Sequence, residues 1–165
     1  MTLDELAALF SKMSVVGTEA ALKRAGEQIG KDAEAHAKAK LGTYQGEAGI
    51  FPAWAPLATS TIEEKIKSGY PTPSPLLREG DLRDSISYDV EANGLTITVT
   101  LGSDSEVAVY QELGTIDIPP RPFLGPTMFE RGEIYAVVAG LEVVEAMGAI
   151  AGVPTSATNP LRGRP

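Results

Sequence analysis

The chain of 165 residues has no cysteine, so a disulfide framework, a thiolate metal site and a cysteine nucleophile are all excluded. It has one histidine, His36, which rules out a His-Glu-x-x-His zinc motif. A lone histidine on a helix stripe reads as packed or solvated rather than catalytic. Gly-x-Ser-x-Gly is absent, and the Gly30-Lys31 pair in IGKDAE lacks both the upstream glycine and the following Ser/Thr of a phosphate loop. Basic side chains are scarce: 14 Lys and Arg stand against 22 Asp and Glu, for a net charge of −8 and a pI near 4.7. Phosphate backbones and anionic lipid repel such a chain, which argues against sequence-specific DNA binding. No apolar run approaches the ~18 residues of a membrane span. The opening MTLDELAALF is acidic and has no basic n-region, so no secretory signal is expected and the cytosol is the expected place of synthesis.

What is present is a globular composition, 43% hydrophobic, interrupted by 17 Gly and 12 Pro that gather at 42–56, 68–80 and 114–126. One domain over 1–148 is expected, followed by a flexible or partner-ordered tail over 149–165. Thr2 with Glu5 forms a capping box, and Leu3, Leu6, Phe10 and Met13 follow at helical spacing. Thr18 can cap again. Residues 19–41 read as a longer helix whose stripe is Leu22, Ala25, Ile29, Ala33, His36 and Lys40, stopped by Gly42. Residues 59–69 predict one or two helical turns ended by Gly69, and the prolines of 71–77 predict extended chain. Ile86, Tyr88 and Val90 alternate with polar residues, as do Leu95, Ile97, Val99 and Leu101, with Ala92-Asn93-Gly94 between them as a hairpin turn. Each strand shows one apolar face, so one side of the sheet is covered and the other wetter. A short helix ended by Gly114 is expected over 106–114 and a long helix over 127–148.

Acidic pairs occur at Glu63-Glu64, at Asp81 with Asp84 and at Asp104 with Glu106. Spacing alone does not make catalytic pairs of them, and solvated charge is the simpler reading. Arg162 and Arg164 are two charges, too few for a nucleic-acid surface. The least ordinary stretch is GTIDIPPRPFLGP, 114–126. Its prolines at 119, 120, 122 and 126 make it rigid and forbid a strand, yet it carries Ile116, Ile118, Phe123 and Leu124.

Three segments, WAPLATSTIEEK (54–65), PLLREGDLRDSISY (75–88) and VYQELGTIDIPPRPFLGP (109–126), carry motifs in a characteristic order. They are Trp54-x-Pro56-Leu57, then Leu77-Arg78-x-Gly80-x-Leu82-x-x-Ser85-Ile86, a hairpin, Leu101-Gly102-Ser103, Tyr110 shortly before Gly114-Thr115, and Pro119-x-Arg121-Pro122-Phe123-Leu124. In this order the chain resembles the virion-morphogenesis or tail-completion proteins of tailed bacteriophages, and the related siphophage tail components of the head–tail joint. The resemblance covers roughly residues 54–126. Where that family often has Phe-Gly-Thr, this chain has Leu113-Gly114-Thr115.

The resemblance implies an α+β fold, with N-terminal helices and a C-terminal helix packed on a small antiparallel sheet with long Pro/Gly-rich loops. It implies a structural protein with no catalytic residues, metal or cofactor, assembled in the host cytoplasm into a virion. There it would complete or terminate the tail at the neck as a ring, a hexamer by the family's count. The implied partners are further copies of itself, the connector or adaptor, and tail-tube or other tail proteins. DNA would pass nearby without sequence-specific binding, and no membrane is involved. It further implies a subunit interface over 110–124. Tyr110, Gln111 and Thr115 would offer contact surface, and Glu112 and Arg121 opposite charges to bridge a neighbour. Pro119 and Pro122 would fix the loop before docking, Gly114 would allow a positive φ at its start, and Phe123 with Leu124 would be anchors. The same sequence also allows Phe123 to pack into the chain's own core. Asp104 and Glu106 are candidates to face a channel. Readings from other classes are a small metal-dependent hydrolase or nuclease and a non-phage adaptor module.

Overall fold

Along the chain run α1 (Thr18–Lys40), α2 (Thr59–Lys67), α3 (Asp81–Asp84), β1 (Ile86–Asn93), β2 (Thr96–Ser103), α4 (Glu106–Leu113) and α5 (Leu124–Ala151), the two strands forming one antiparallel sheet. The structure, a computed structural model, describes residues 2, 4–5, 17–152 and 158–162. The fold is α+β, with N- and C-terminal helices packed with the hairpin. At the N-terminus the capping box is formed in both directions: Thr2 N–H donates to Glu5 Oε2 at 2.7 Å, and Glu5 N–H to Thr2 Oγ1 at 3.2 Å. The apolar spacing Leu3, Leu6, Phe10, Met13 lies outside the described residues.

The hairpin alternates as its sequence requires, with Ile86, Tyr88 and Val90 inward on β1 and Ile97, Val99 and Leu101 inward on β2. Its turn is one residue later than expected. Gly94 (φ 59) and Leu95 form a two-residue loop with glycine first, which suits the twist of a hairpin, and Leu95 is exposed in the turn instead of joining the apolar face. The stretch 71–77, expected to be extended, folds as successive turns with Leu76 at φ 58.

The chain divides into two compact units, where one domain over 1–148 was expected. The first comprises the described residues up to Asp32, with 89–100 and those from Gly132 onward. Small residues on α1 (Ala21, Ala25) are fully buried beside Leu22 and Ile29, and Val138 and Tyr135 of α5 are buried as well. Gly26 is where α1 meets the hairpin: a Cβ there would lie 2.4 Å from Ile97 Cδ1 and 2.6 Å from Val90 Cγ1. Tyr135 donates its hydroxyl to Asp32 at 3.1 Å. The long helix runs past the expected end at 148, through Ala151.

Of the expected tail, 149–165, residues 158–162 are described beyond the end of α5. Asn159 and Leu161 are buried, and Asn159 Nδ2 donates to Gln28 and to Glu142. Glu142, a carboxylate 1% exposed, also accepts from Gln28 at 3.1 Å and from Arg162 at 3.2 Å, with Arg24 at 3.5 Å. Burial pushes this carboxyl upward, but the Gln28 amide, Arg162, Asn159 and Arg24 together hold it below its ordinary value. Residues 158–162 are thus ordered by their own chain.

The second unit comprises 33–88 and 101–131. Its core is Ala37, Leu41, Trp54, Ile86, Ala108 and Phe123, with Leu76, Leu82, Leu101 and Leu124 packed against it. Lys40 is buried and pairs with Glu130 at 2.7 Å, and His36, half-buried, meets the same carboxylate at 2.9 Å. Among the described residues no helix is long and apolar enough to cross a membrane.

A carboxylate held below its unfolded value stabilises the fold above the ordinary range near 4.5, and that contribution fades as pH falls through the lowered pKa. Glu142→Gln is expected to lower stability at pH 7 by about 2 kcal/mol. The difference from the parent should shrink as the pH drops below about 4.5 and vanish once Glu142 is protonated. Thermal unfolding of both proteins across that range measures it.

Candidate subunit interface

The segment from α4 into α5 is fixed by its own unit before any partner is considered. Trp54 Nε1 donates to the Pro122 carbonyl at 2.9 Å. Arg121 returns the contact: its Nε and Nη2 donate to the Ala55 carbonyl at 3.2 and 3.1 Å, and Nη2 to the Pro56 carbonyl at 3.1 Å. Two motifs some 65 residues apart therefore hold each other by reciprocal side-chain-to-backbone bonds. Phe123 lies between them, 0% exposed, in the core cluster.

Glu112 completes the brace. Its Oε2 accepts the N–H groups of Phe123 (2.8 Å) and Leu124 (3.0 Å), and its Oε1 that of Gly125 (2.7 Å). These amides open α5 and have no partner within the helix, and the helix dipole favours a negative charge at that end. Gly125 makes the approach possible, since a Cβ there would fall 2.6 Å from the Phe51 ring and 3.2 Å from Glu112 Oε1. Thr127 adds a hydroxyl bond to the Phe123 carbonyl at 2.7 Å.

Between these fixed points the chain makes one tight loop. Gly114 ends α4 with φ 76, the positive φ expected of it, and a Cβ there would meet Ile118 O, Pro120 N and Pro120 Cδ at 3.0 Å each. Thr115 N–H donates to Ile118 O at 2.8 Å, and Thr115 Oγ1 accepts from Asp117 and Ile118. Arg121 N–H closes the loop onto Gln111 O at 2.6 Å.

The geometry places one expected anchor, Phe123, and both expected bridging charges, Glu112 and Arg121, in contacts within their own unit. Phe123 belongs to the chain's own core and presents no surface. Arg121 is 5% exposed with its Nε and Nη2 on its own chain's carbonyls, and Glu112 is held by the α5 amides, so neither stands on the exposed face of α4 as a bridging charge. Pro122 is buried too, and Leu124 half-buried on the core, while Pro119 is exposed. What reaches solvent is the other face of α4. Ala108, Gln111 and Glu112 turn inward; Val109, Tyr110 and Leu113, at helical spacing on the opposite face, are exposed, Leu113 by 73%. Ile116, at the loop tip, is fully exposed, and Thr115 beside it is exposed. Leu113 was legible as a site only through its place before Gly114-Thr115; Val109 and Ile116 carried no signal except being apolar.

The remaining motif residues serve this frame. Leu57 N–H donates to the Tyr44 hydroxyl at 3.0 Å. Gly80 (φ 110) opens the short α3, Leu82 packs on the core, and Ser85 Oγ holds the Leu82 carbonyl at 2.8 Å and Ser103 Oγ at 2.7 Å as Ile86 enters the core. Arg78 pairs with Glu64 at 2.7 Å and lies over the Tyr70 ring. Leu77 gives its carbonyl to Lys65 at 2.7 Å. Asp104 and Glu106 are exposed at the start of α4. No three His, Asp or Glu side chains among the described residues gather as metal ligands.

Compared with protein-family models, with curated proteins and with solved structures, the chain matches none.

The brace sets three expectations for stability, read by chemical denaturation. Phe123→Ala should cost about 3–5 kcal/mol as a core truncation. Glu112→Ala, which leaves three helix-opening amides without their acceptor, should cost about 2 kcal/mol. Gly114→Ala should cost about 1–3 kcal/mol from its positive φ and the crowded Cβ.

Proposed function

We propose that the protein is a structural subunit of a tailed-phage virion, placed at the head–tail joint or tail end, which assembles into a ring through the outward face of α4 and the loop that follows it. The observation that carries this reading is the pairing of a rigid base with an apolar surface. Val109, Tyr110, Leu113 and Ile116 are exposed on a segment pinned by Glu112, Gln111 and Arg121. Exposed apolar side chains on a mobile loop lose conformational freedom when they dock; on a pinned segment that loss has already been met by folding. Aromatic and aliphatic side chains at the centre of such a patch carry most of a contact's energy.

The resemblance in the ordered motifs supplies the rest of the reading. The ring is a hexamer by the family's count, its partners are the connector or adaptor and tail-tube or other tail proteins, and it performs no covalent chemistry. A head-to-tail contact closes into a ring when the rotation per subunit closes. Asp104 and Glu106 are exposed acids, and a bore lined with them would let a duplex pass without a binding well.

Leu113→Glu and Ile116→Asp change only exposed side chains, so each is expected to shift stability by less than about 0.5 kcal/mol. Both should nevertheless block incorporation into particles and leave heads and tails unjoined, scored by electron microscopy of lysates. Normal joining in both variants would place the assembly surface elsewhere.

A further inference from the structure

Lys65 and Arg121 are buried to 2% and 5% exposure, and among the described residues neither has a carboxylate within ion-pair distance. Backbone carbonyls alone hold them: Ser74 and Leu77 for Lys65, Ala55 and Pro56 for Arg121. A buried charge is normally paired, because carbonyl dipoles replace only part of its lost hydration. In a chain of net charge −8, two such cations without counter-ions in one unit are conspicuous. Burial, and after it the Arg78 charge, pull the Lys65 ammonium below its ordinary pKa, with Glu64 acting the other way. The Nη1 edge of Arg121 makes no hydrogen bond among the described residues.

Both cations line the same pocket, about 860 Å³ in volume, inside the second unit. Gln111 lines it as well, and its side-chain Oε1 is a buried acceptor without a hydrogen-bond partner. Such an atom keeps its full desolvation penalty until a donor reaches it. Leu57, Leu76, Leu82, Val107 and Ile118 give the wall an apolar part. The exposed acids Glu79, Asp81 and Asp117 also line it.

From these features we infer that the pocket binds an acidic peptide segment of a partner protein, with an Asp or Glu carboxylate set against Lys65 and Arg121, a backbone N–H donated to Gln111 Oε1 and a neighbouring apolar side chain on the leucine wall. Among the exposed charges of the lining the acids Glu79, Asp81 and Asp117 outnumber Arg78, which favours a monoanionic carboxylate over a dianionic phosphate. The volume falls within the range of pockets that bury several groups of a ligand at once. The inference stands on the pocket alone and does not depend on ring formation.

The test is an NMR titration of the isotope-labelled full chain with acetyl-Leu-Ala-Glu-Leu-amide, its Gln counterpart, sodium acetate and inorganic phosphate. The Glu peptide should saturate shifts at residues of this pocket and bind about tenfold more tightly than either the Gln peptide or acetate. Phosphate should bind more weakly than the peptide. Gln111→Leu removes an unsatisfied acceptor, so it should melt no lower than the parent yet bind the Glu peptide about tenfold more weakly. Val107→Glu, at an exposed position of the wall, should fold normally and weaken binding similarly. The inference is overturned if the Glu peptide gives no saturable shifts, if the Gln peptide or acetate binds equally well, if phosphate binds more tightly, or if the folded Gln111→Leu and Val107→Glu variants bind as the parent does.

Discussion

One carboxylate, Glu112, accepting three amides at the head of α5 is the contact on which the second unit turns. A long helix must begin with amides that lack helical partners, and here a side chain from the preceding helix supplies them. That single placement ties α4 to α5, sets the path of the proline segment between them and presses Phe123 into the core. Trp54 and Arg121 then hold the same corner from the other side, Trp54 donating to the Pro122 carbonyl and Arg121 to the carbonyls of Ala55 and Pro56. Charge-assisted bonds to backbone amides are among the stronger hydrogen bonds available to a protein.

The rigid yet apolar character of 114–126 follows from this division of labour. Its buried members, Arg121, Pro122, Phe123 and Pro126, belong to the fold, while Ile116 at the loop tip, with Leu113 and Tyr110 just before it, belongs to the surface. The prolines restrict the chain between the two sets. A segment shaped in this way is suited to repeated, identical contacts, the kind on which a ring of equal subunits would depend.

Much of this was legible in the sequence where local rules decide. The capping box at Thr2 and Glu5, the small-residue stripe of α1, the strand alternation and the stop at Gly114 all follow from periodicity and φ preference. Direction was not legible. Periodicity cannot say whether Phe123 and Arg121 face inward or toward a neighbour, because the deciding partners, Trp54, Ala55 and Pro56, lie far away in sequence. Asn159 is a further case: its amide donates to Gln28 and Glu142, which no composition rule connects to it. Lys65 is buried because carbonyls from the following turns, Ser74 and Leu77, close around it, which no local pattern in its short helix reveals.

Hydrogen exchange, compared between the free protein and the protein incorporated into particles, addresses the central claim directly. The account predicts that the amides of Phe123, Leu124 and Gly125 exchange slowly in both states, because Glu112 holds them before assembly. The amides of 113–117 should exchange faster in the free protein and become protected in the particle. Fast exchange at 123–125 in the free protein, or no gain of protection at 113–117 on assembly, would contradict it.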